Sequence, residues 1–562
     1  MKKDALGYCT ALGAALVVGV GGPGLTNALT AEAACPIQFH NVTRETGITF
    51  VHTDGSSGNR YIVETVASGL ALFDYDNDGK VDIYFLNGAP LRGNKSASVP
   101  RNSLWRNEGN WKFTDVTERS GLGDAGYGLG VAAADYDNDG QQDVYISNFG
   151  PNKLYRNNGD GTFTDVTQKA GVADGAGRIG AGVAFVDMDN DGDLDLFVAH
   201  YVNFTYENHR LLRFNGYPAY AGPLDFQPTA FTLFRNNGDG TFTDVSVESG
   251  IARFNGAGMG VVCFDADGDG DVDIFVGNDK TGNALFLNDG QGHFKEAAGL
   301  AGVAYDAAGR AQGSMGVECG DVDNDGLLDL YVSTYQQETA TLFKNMGHGL
   351  FDDVTRLTRA GDGTLRYVKW GVGLADFDND GLRDLFLACG HLHDNVHLFD
   401  NTTSYECPSI VLRNTGGGKF SNVSDRAGDG PGVKRSARGA AFDDLDNDGD
   451  IDVVILNSRR EPTLLRNDSP PAHWLAVRLI GTQSNRDGIG AKVKVIAGEL
   501  TLVDEVHSGR GYQSDYGRRL HFGLGKRDKV ERIEVRWPSG RNDLIPEPSV
   551  DRLVTIKEGG GK

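Results

Sequence analysis

The nine-residue string D-x-D-x-D-G-x-x-D occurs seven times in this chain of 562 residues, and it limits the possible folds more than any other feature. The copies begin at Asp74, Asp135, Asp187, Asp265, Asp321, Asp376 and Asp444, and a glycine stands five residues before each first Asp, from Gly69 to Gly439. An apolar run follows each copy, such as Leu194 to Ala199 or Val453 to Leu456. A second element recurs in register: LYRNNGDGTFTDVT from Leu154, LFRNNGDGTFTDVS from Leu233, and weaker copies from Leu104, Leu285, Leu342 and Val411. It reads as strand, Gly-rich hairpin, strand. The seventh copy, at Leu464, stops after Asn467 and runs into Pro470-Pro471, and the strand it lacks has a counterpart in Phe39-His40-Asn41-Val42-Thr43.

Each repeat therefore supplies four short strands: one before the Asp loop, one after it, and two in the hairpin. A fixed period signals a repeat architecture, and four-stranded units arranged in a ring are propeller blades. The orphan N-terminal strand would complete the seventh blade and remove an exposed sheet edge. The expected fold is all-β: a seven-bladed β-propeller over residues 36–468, closed by a strand near 37–43, followed by a small β-sandwich or barrel over 470–562. The glycine before each loop fits inner strands that crowd the axis, where a side chain would clash. An open solenoid would need no partner strand at residue 39.

Within each loop the carboxylates fall at positions 1, 3, 5 and 9. They are Asp74, Asp76, Asp78 and Asp82; Asp135, Asp137, Asp139 and Asp143; Asp187, Asp189, Asp191 and Asp195; Asp265, Asp267, Asp269 and Asp273. The last three loops carry Asp321, Asp323, Asp325 and Asp329; Asp376, Asp378, Asp380 and Asp384; Asp444, Asp446, Asp448 and Asp452. Short side chains at this spacing converge their oxygens on one point, the glycine at position 6 makes the turn, and position 7 offers a backbone carbonyl. Hard oxygen donors in this number suit Ca²⁺, so up to seven structural Ca²⁺ ions are expected. These loops are not EF-hands, which need Glu at position 12 and flanking helices; position 12 of the first loop is Phe85. The formal charge of −24 then has a local origin: the loops hold 28 of the 77 acidic residues, and the other 49 face 53 Lys and Arg. No basic domain stands out, which argues against a nucleic-acid binder.

The Asp loops with their RNNGDGTFTDVT hairpins resemble FG-GAP/VCBS repeats, the kind that build integrin α-subunit propellers. Near the C-terminus stand Asn485-Arg486-Asp487-Gly488-Ile489-Gly490-Ala491, Gly511-Tyr512-Gln513-Ser514, Leu520-His521-Phe522-Gly523-Leu524-Gly525 and Trp537-Pro538-Ser539-Gly540. Together these resemble an ASPIC/UnbV domain, and the chain as a whole is similar to the secreted cartilage acidic protein-like family. The resemblance implies an exported, calcium-binding, adhesive or ligand-binding protein, and it implies no established enzyme activity.

Export is also legible at the N-terminus. Lys2 and Lys3 precede a short apolar run, Ala11 to Val20, and Ala31-Glu32-Ala33 offers a small-x-small cleavage site, so residues 1–33 read as a signal peptide. No later stretch is long and apolar enough for a transmembrane helix. An exported chain can form disulfides, and Cys389 and Cys407 flank one loop that a disulfide could close. Cys263 and Cys319, at equivalent repeat positions, read as small buried hydrophobes.

Blade topology places the Asp loops and outer hairpins on one face of the disc. The three large insertions, residues 88–103, 200–231 and 389–410, fall on the other, where long loops on a rigid scaffold carry binding. Candidate ligand-binding residues there are Arg60, Arg178, Lys369, Trp370, His391, His393, Arg438 and Arg459. They suggest a funnel for an anionic or sugar-like ligand, against the plainer reading that the arginines pair with nearby carboxylates. His391, His393 and His397 read as solvated loop histidines rather than metal ligands. Residues 470–562 carry 16 basic and 12 acidic residues, which would let this unit dock on the acidic propeller or on a separate partner; Arg510, Tyr512, Arg518 and Arg519 are its candidate contacts. The leading expectation is a non-enzymatic exported protein that binds a protein, glycan or small molecule. Its rival is a calcium-dependent enzyme on a polysaccharide or exported metabolite, with Lys369, His391 or His393 as base.

Overall fold

The structure is a computed structural model that describes residues 35–96, 99–174 and 177–561. The expected signal segment lies outside the described residues. Seven four-stranded antiparallel sheets follow one another along the chain as propeller blades. Blade 2 shows the pattern: Gly128–Ala134 innermost, then Asp143–Asn148, Lys153–Asn157 and Phe163–Asp165, with the Asp loop joining the first two strands. The other inner strands are Leu70–Phe73, Gly180–Val186, Gly258–Phe264, Ser314–Gly320, Lys369–Ala375 and Ala437–Asp443. Each packs on the next, and the seventh packs on the first, which closes the ring. The seventh blade takes its outer strand from the chain start: Phe39–Asn41 pairs with Thr463–Asn467, with Phe39 opposite Asn467.

The axial glycines are explained by this closure. A Cβ on Gly130 would lie 2.1 Å from the Ala181 carbonyl oxygen, and one on Gly316 would lie 2.3 Å from that of Trp370. Apolar side chains fill the gaps between blades. Phe39 is fully buried and meets Phe377 and Phe386 edge to face, with ring centroids 5.1 and 5.7 Å away. Neighbouring blades are also joined by a polar device. An asparagine at or near the end of each third strand donates its Nδ2 to the carbonyl of loop position 2 in the preceding blade: Asn107 to Leu445, Asn157 to Tyr75, Asn236 to Tyr136, Asn288 to Met188, Asn345 to Ala266, Asn414 to Val322 and Asn467 to Phe377. These bonds satisfy carbonyls that turn inward between sheets, where water could not replace them.

Residues 470–562 contribute two further sheets. His473–Ile480 lies between Arg519–Gly525 and Leu553–Lys557, and Leu500–Glu505, Lys492–Ala497, Arg532–Arg536 and Asn542–Pro546 form the other. Their shared core, with Leu475, Val493 and Trp537, continues without a break into Tyr136, Val183 and Leu194 of the propeller.

The connection from His507 to Arg518 leaves this sandwich and enters the propeller axis. Inner-strand N–H groups of Leu72, Val131, Cys263 and Val317 donate to the carbonyls of Asp515, Gln513, Ser508 and Gly511 over 2.9–3.3 Å. Phe185 N donates to Ser508 Oγ (2.9 Å), and the Tyr516 hydroxyl shares its one proton between the Val372 carbonyl (3.2 Å) and Glu318. The inserted segment thus bonds to six of the seven inner strands. Such strands have one edge without a neighbour, and in a narrow channel their polar groups need a partner.

The cysteines depart from one expectation. Cys35, Cys263, Cys319, Cys389 and Cys407 are all free and buried. The expected Cys389–Cys407 bridge is not formed: Cys407 Sγ donates to the Ser404 carbonyl (3.1 Å) and Cys389 Sγ to that of Leu387 (3.6 Å). Cys263 and Cys319 belong to apolar clusters, as small hydrophobes should, although Cys319 Sγ also meets the buried His507 ring (3.6 Å).

Candidate functional site

Each Asp position has its own task in the loops. In blade 2 the first carboxylate, Asp135, accepts backbone N–H bonds from Asp139 (2.9 Å) and Gly140 (2.7 Å), which shapes the turn. The ninth, Asp143, is buried and accepts from Tyr136 N (3.2 Å) and Asn157 N (2.7 Å), which ties the loop to the third strand. The third, Asp137, turns one oxygen to Arg156 and leaves the other, Oδ1, buried with no donor. The same Oδ1 atom is orphaned in Asp76, Asp189, Asp323, Asp378 and Asp446, so six of the seven loops share the defect. An unsatisfied buried polar group costs about 1–3 kcal/mol, and more when charged. Asp135, Asp137 and Asp143 each bring an oxygen within 4.8 Å of the others, and equivalent clusters recur in other loops. Burial, then the nearby Asp487, pushes the Asp135 carboxyl up to about 7; burial, then Asp191 and Asp189, does the same to Asp187. A cation at the convergence point would complete the orphaned oxygens and offset this repulsion, so the clusters can hold a metal ion.

Arginine or lysine from the third strand already offsets part of the charge. Arg106 bridges Asp76 and Asp78, Arg156 bridges Asp137 and Asp139, Lys344 bridges Asp323 and Asp325, and Arg413 bridges Asp378 and Asp380. Position 4 links the loops into a chain. Asn138 Nδ2 donates to Gly192 O (3.1 Å), Asn324 to Gly381 O (3.0 Å) and Asn379 to Gly449 O (3.1 Å). Blade 4 lacks both devices, with Gly268 at position 4 and Leu287 in the basic position. There Arg536 of the C-terminal sandwich donates to the Asp269 carbonyl (3.1 Å).

That sandwich covers the loop face. Asp487 accepts from Asp135 N (2.9 Å), Arg486 N donates to Asn138 Oδ1 (2.8 Å), and Arg519 reaches Asp443 and Asn447 (2.6 Å each). Within the axis, Arg510 pairs with the fully buried Glu318 (3.1 Å), which also accepts from Tyr516 Oη (2.6 Å). Tyr512 is wholly buried at the far end of the insert, edge-on to Trp370 at 5.0 Å.

On the inserted-loop face the candidate residues separate by role. Arg60 pairs with Asp394 (2.8 Å), and Arg459 pairs with both Asp54 and Asp394, which pins the third insertion to blades 1 and 7. Arg438 is buried, donates to the Thr65 and Ala437 carbonyls, and lies 4.2 Å from the Trp370 ring. Trp370 Nε1 donates to Gly390 O (2.6 Å). Lys369 is buried with its ammonium on the carbonyls of Tyr335 (2.9 Å) and Glu338 (2.7 Å), and burial draws its pKa down to about 7. His391 and His393 are buried rather than solvated, contrary to expectation. His391 Nε2 meets Gln336 Oε1 (3.1 Å) and its Nδ1 accepts from His393 N (3.0 Å). Burial lowers their pKa values to about 4 and about 3, so both rings are neutral at neutral pH. Arg178 stands apart from this group, beside Asp174, His200 and Thr232.

A cavity of 330 Å³ opens here, bounded by Met259, Met315 and Trp370 from inner strands and by Tyr220, Leu224 and His393 from two insertions.

The FG-GAP-like repeat model matches residues 74–146, 135–198, 221–276, 265–332, 321–387 and 376–455. The chain belongs to the FG-GAP-like repeat family. A second family, described as ASPIC and UnbV, matches residues 481–562. Cartilage acidic protein 1 of Mus musculus is 26% identical over 491 residues, covering 84% of this chain and 62% of that protein. Its Xenopus tropicalis counterpart is 27% identical over 513 residues, covering 87% and 64%. The chain thus spans about three fifths of the length of these curated relatives. Among solved structures, an Agrocybe aegerita lectin that recognises non-reducing terminal N-acetylglucosamine is 19% identical, covering 63% of this chain and 79% of that one, with a TM-score of 0.38. The V. cholerae biofilm matrix protein Bap1 is 12% identical, covering 91% and 76%, with a TM-score of 0.30.

The FG-GAP repeats also show which cavity residues sequence reasoning missed. In blades 4, 5 and 6 the residue just before the axial glycine lines the cavity: Met259, Met315 and Trp370. Trp370 drew attention as an aromatic, whereas the two methionines did not, although the repeat register marks all three. Among the described residues, no helix is long and apolar enough to cross a membrane.

Proposed function

We propose that this protein is an exported, calcium-binding propeller that acts as a ligand-binding or adhesion module, with the inserted-loop face as its binding surface. One observation carries the reading: the Asp-loop face is covered by the C-terminal sandwich and the axis is filled from that side. The insertions therefore stand on the face left open. In this reading residues 1–33 are a signal peptide, 36–468 the propeller body and 470–562 a docked cap. Ca²⁺ would be held by positions 1, 3, 5 and 9 of each loop with the position 7 carbonyl, and it supplies charge compensation to a turn that is otherwise short of donors. The oxygens orphaned in six loops support this assignment.

The ligand is a protein, glycan or small molecule. The test is a binding screen of the calcium-loaded protein against glycan, metabolite and extracellular-protein libraries. Hits are then repeated with Arg459→Ala, which unpins the third insertion from blade 7. Loss of the hits supports the reading. Full retention in that variant, and in one with residues 200–231 shortened, would move the binding surface elsewhere.

A further inference from the structure

We infer that the cavity at the axial mouth of the inserted-loop face binds a small, uncharged, ring-bearing apolar molecule with one hydrogen-bonding end. The inference rests on the proposed use of this face and adds the chemistry of the ligand. Ligand pockets run from about 300 to 1,000 Å³ and are mostly apolar with a few fixed polar groups. At 330 Å³ this one suits a single small molecule.

The floor is Met259, Met315 and Trp370, side by side on inner strands of consecutive blades. The chain has only five methionines, and two of them meet here. Thioethers are polarisable and adapt to the outline of a ring. Trp370 is held on its nitrogen by the Gly390 carbonyl and on its ring by Tyr512, so the floor is fixed before any ligand arrives. The walls are Leu212, Tyr220 and Leu392. At the opening, Phe214 is 42% and Leu224 74% exposed. Large apolar side chains gathered at a concave opening mark an interaction site, whereas scattered ones do not.

Charge decides against an anionic ligand. Arg60 and Arg459 are neutralised by Asp394 and Asp54, and Arg438 is turned to backbone carbonyls. The lining carries three charged groups: Lys280 pairs with Glu338, Asp279 accepts from Tyr201 Oη (2.7 Å), and Asp225 accepts from Gly222 N (3.0 Å). The cavity therefore offers a ligand apolar surface and hydrogen bonds, and the carboxylates of Asp225 and Asp279 in its lining disfavour an anion. Asp279 and the neutral His393 are placed to take its polar end.

The experiment titrates the full-length, calcium-loaded protein with N-phenyl-1-naphthylamine, a neutral two-ring fluorophore, and with its anionic relative 8-anilino-1-naphthalenesulfonate. We expect saturable binding of the neutral probe at one per chain, with the anionic probe no tighter. Met315→Trp fills the floor and Leu224→Asp places a charge at the exposed rim, where folding is not at stake. Each is expected to weaken binding about tenfold or more. Non-saturable uptake, unchanged affinity in the folded Leu224→Asp protein, or a clear preference for the anion would each overturn the inference. So would a dimer that excludes the probe and is abolished by Leu224→Asp, because the occupant would then be a second copy. A protein that fails these tests yet keeps a glycan or protein ligand on the inserted loops retains the proposed function and loses only this inference.

Discussion

On the Asp-loop face the blades repeat one turn, with blade 4 alone lacking both the asparagine at position 4 and the basic side chain of the third strand, whereas on the inserted-loop face the connections differ from blade to blade. The first face is built from seven versions of one turn, joined blade to blade by asparagine side chains and capped by residues 470–562. The second is built from insertions of unequal length, pinned by a few ion pairs around an apolar cavity. Repetition stabilises a quasi-one-dimensional fold because each unit satisfies its neighbour. Variation on the other side leaves loops free to carry recognition. The FG-GAP repeat thus divides uniform scaffold from variable loops by face rather than by segment of chain.

Chelation should break the comparison most severely. A site held at a hundred times its Kd contributes about 2.7 kcal/mol, and a typical domain has about 5–15 kcal/mol in total. Loss of several Ca²⁺ ions is therefore expected to lower the melting temperature steeply. Unchanged melting in EDTA, with no calcium found by mass spectrometry, would remove the metal from the account.

The axial insert comes next. Arg510→Ala leaves Glu318 buried without its cation, a change that costs about 3–5 kcal/mol, measured by denaturant unfolding and by protease cleavage within 507–518. Replacing both partners by apolar residues of similar size should restore most of the loss.

Acid should weaken the inserted-loop face through its buried histidines, as it should the contact of His521 with Asn379 on the Asp-loop face, where burial lowers the ring to about 3. His52, His391 and His393 have pKa values lowered by burial from 6.5 to about 3, 4 and 3. Between pH 4 and 6.5 the unfolded chain binds protons that the folded one does not, so stability rises with pH across that window. It is complete above about 6.5 and declines as pH falls. Denaturant midpoints at pH 5 and 7 should differ less in His393→Asn than in the parent protein; equal pH dependence would contradict the assignment.

Asn157→Ala removes one blade-to-blade clasp and leaves the Tyr75 and Gln142 carbonyls unmatched, for about 1–3 kcal/mol by thermal denaturation. The smallest effect is expected for Arg178→Ala. Its contact with Asp174 is half-exposed at 3.5 Å, and such pairs contribute about 0–1 kcal/mol.

Much of the scaffold was legible because its signals repeat. The Asp string gave the blades, the glycine five residues earlier gave the crowded axis, and the lone Phe39 segment gave the ring closure that pairs it with Asn467. The asparagine at or near the end of each third strand was visible in every repeat, yet its role depends on which carbonyl the neighbouring blade presents. The axial insert was less legible. Gly511-Tyr512-Gln513-Ser514 has no periodicity, and its partners lie hundreds of residues away. Arg510, Arg518 and Arg519 were nonetheless singled out, and all three meet propeller groups: Glu318, the Ala133 carbonyl and Asp443. At the inserted-loop face, residue type leaves two readings open, a funnel and arginines paired with nearby carboxylates, and Arg60 and Arg459 follow the second. Their engagement follows from Asp54 and Asp394, which are unremarkable in sequence.

The arrival of residues 507–518 in the axis also orders the folding of the chain. Phe39 cannot find Asn467 until nearly all of the polypeptide exists, and the segment that satisfies the inner strand edges comes later still. Contacts of such long sequence separation form slowly and leave sheet edges open to other chains meanwhile. A product truncated behind the seventh blade would have its ring but an unsatisfied axis, open to mispairing. Residues 507–518 thus act as a late completion step, because only a chain extended well past the seventh blade can seal the axis.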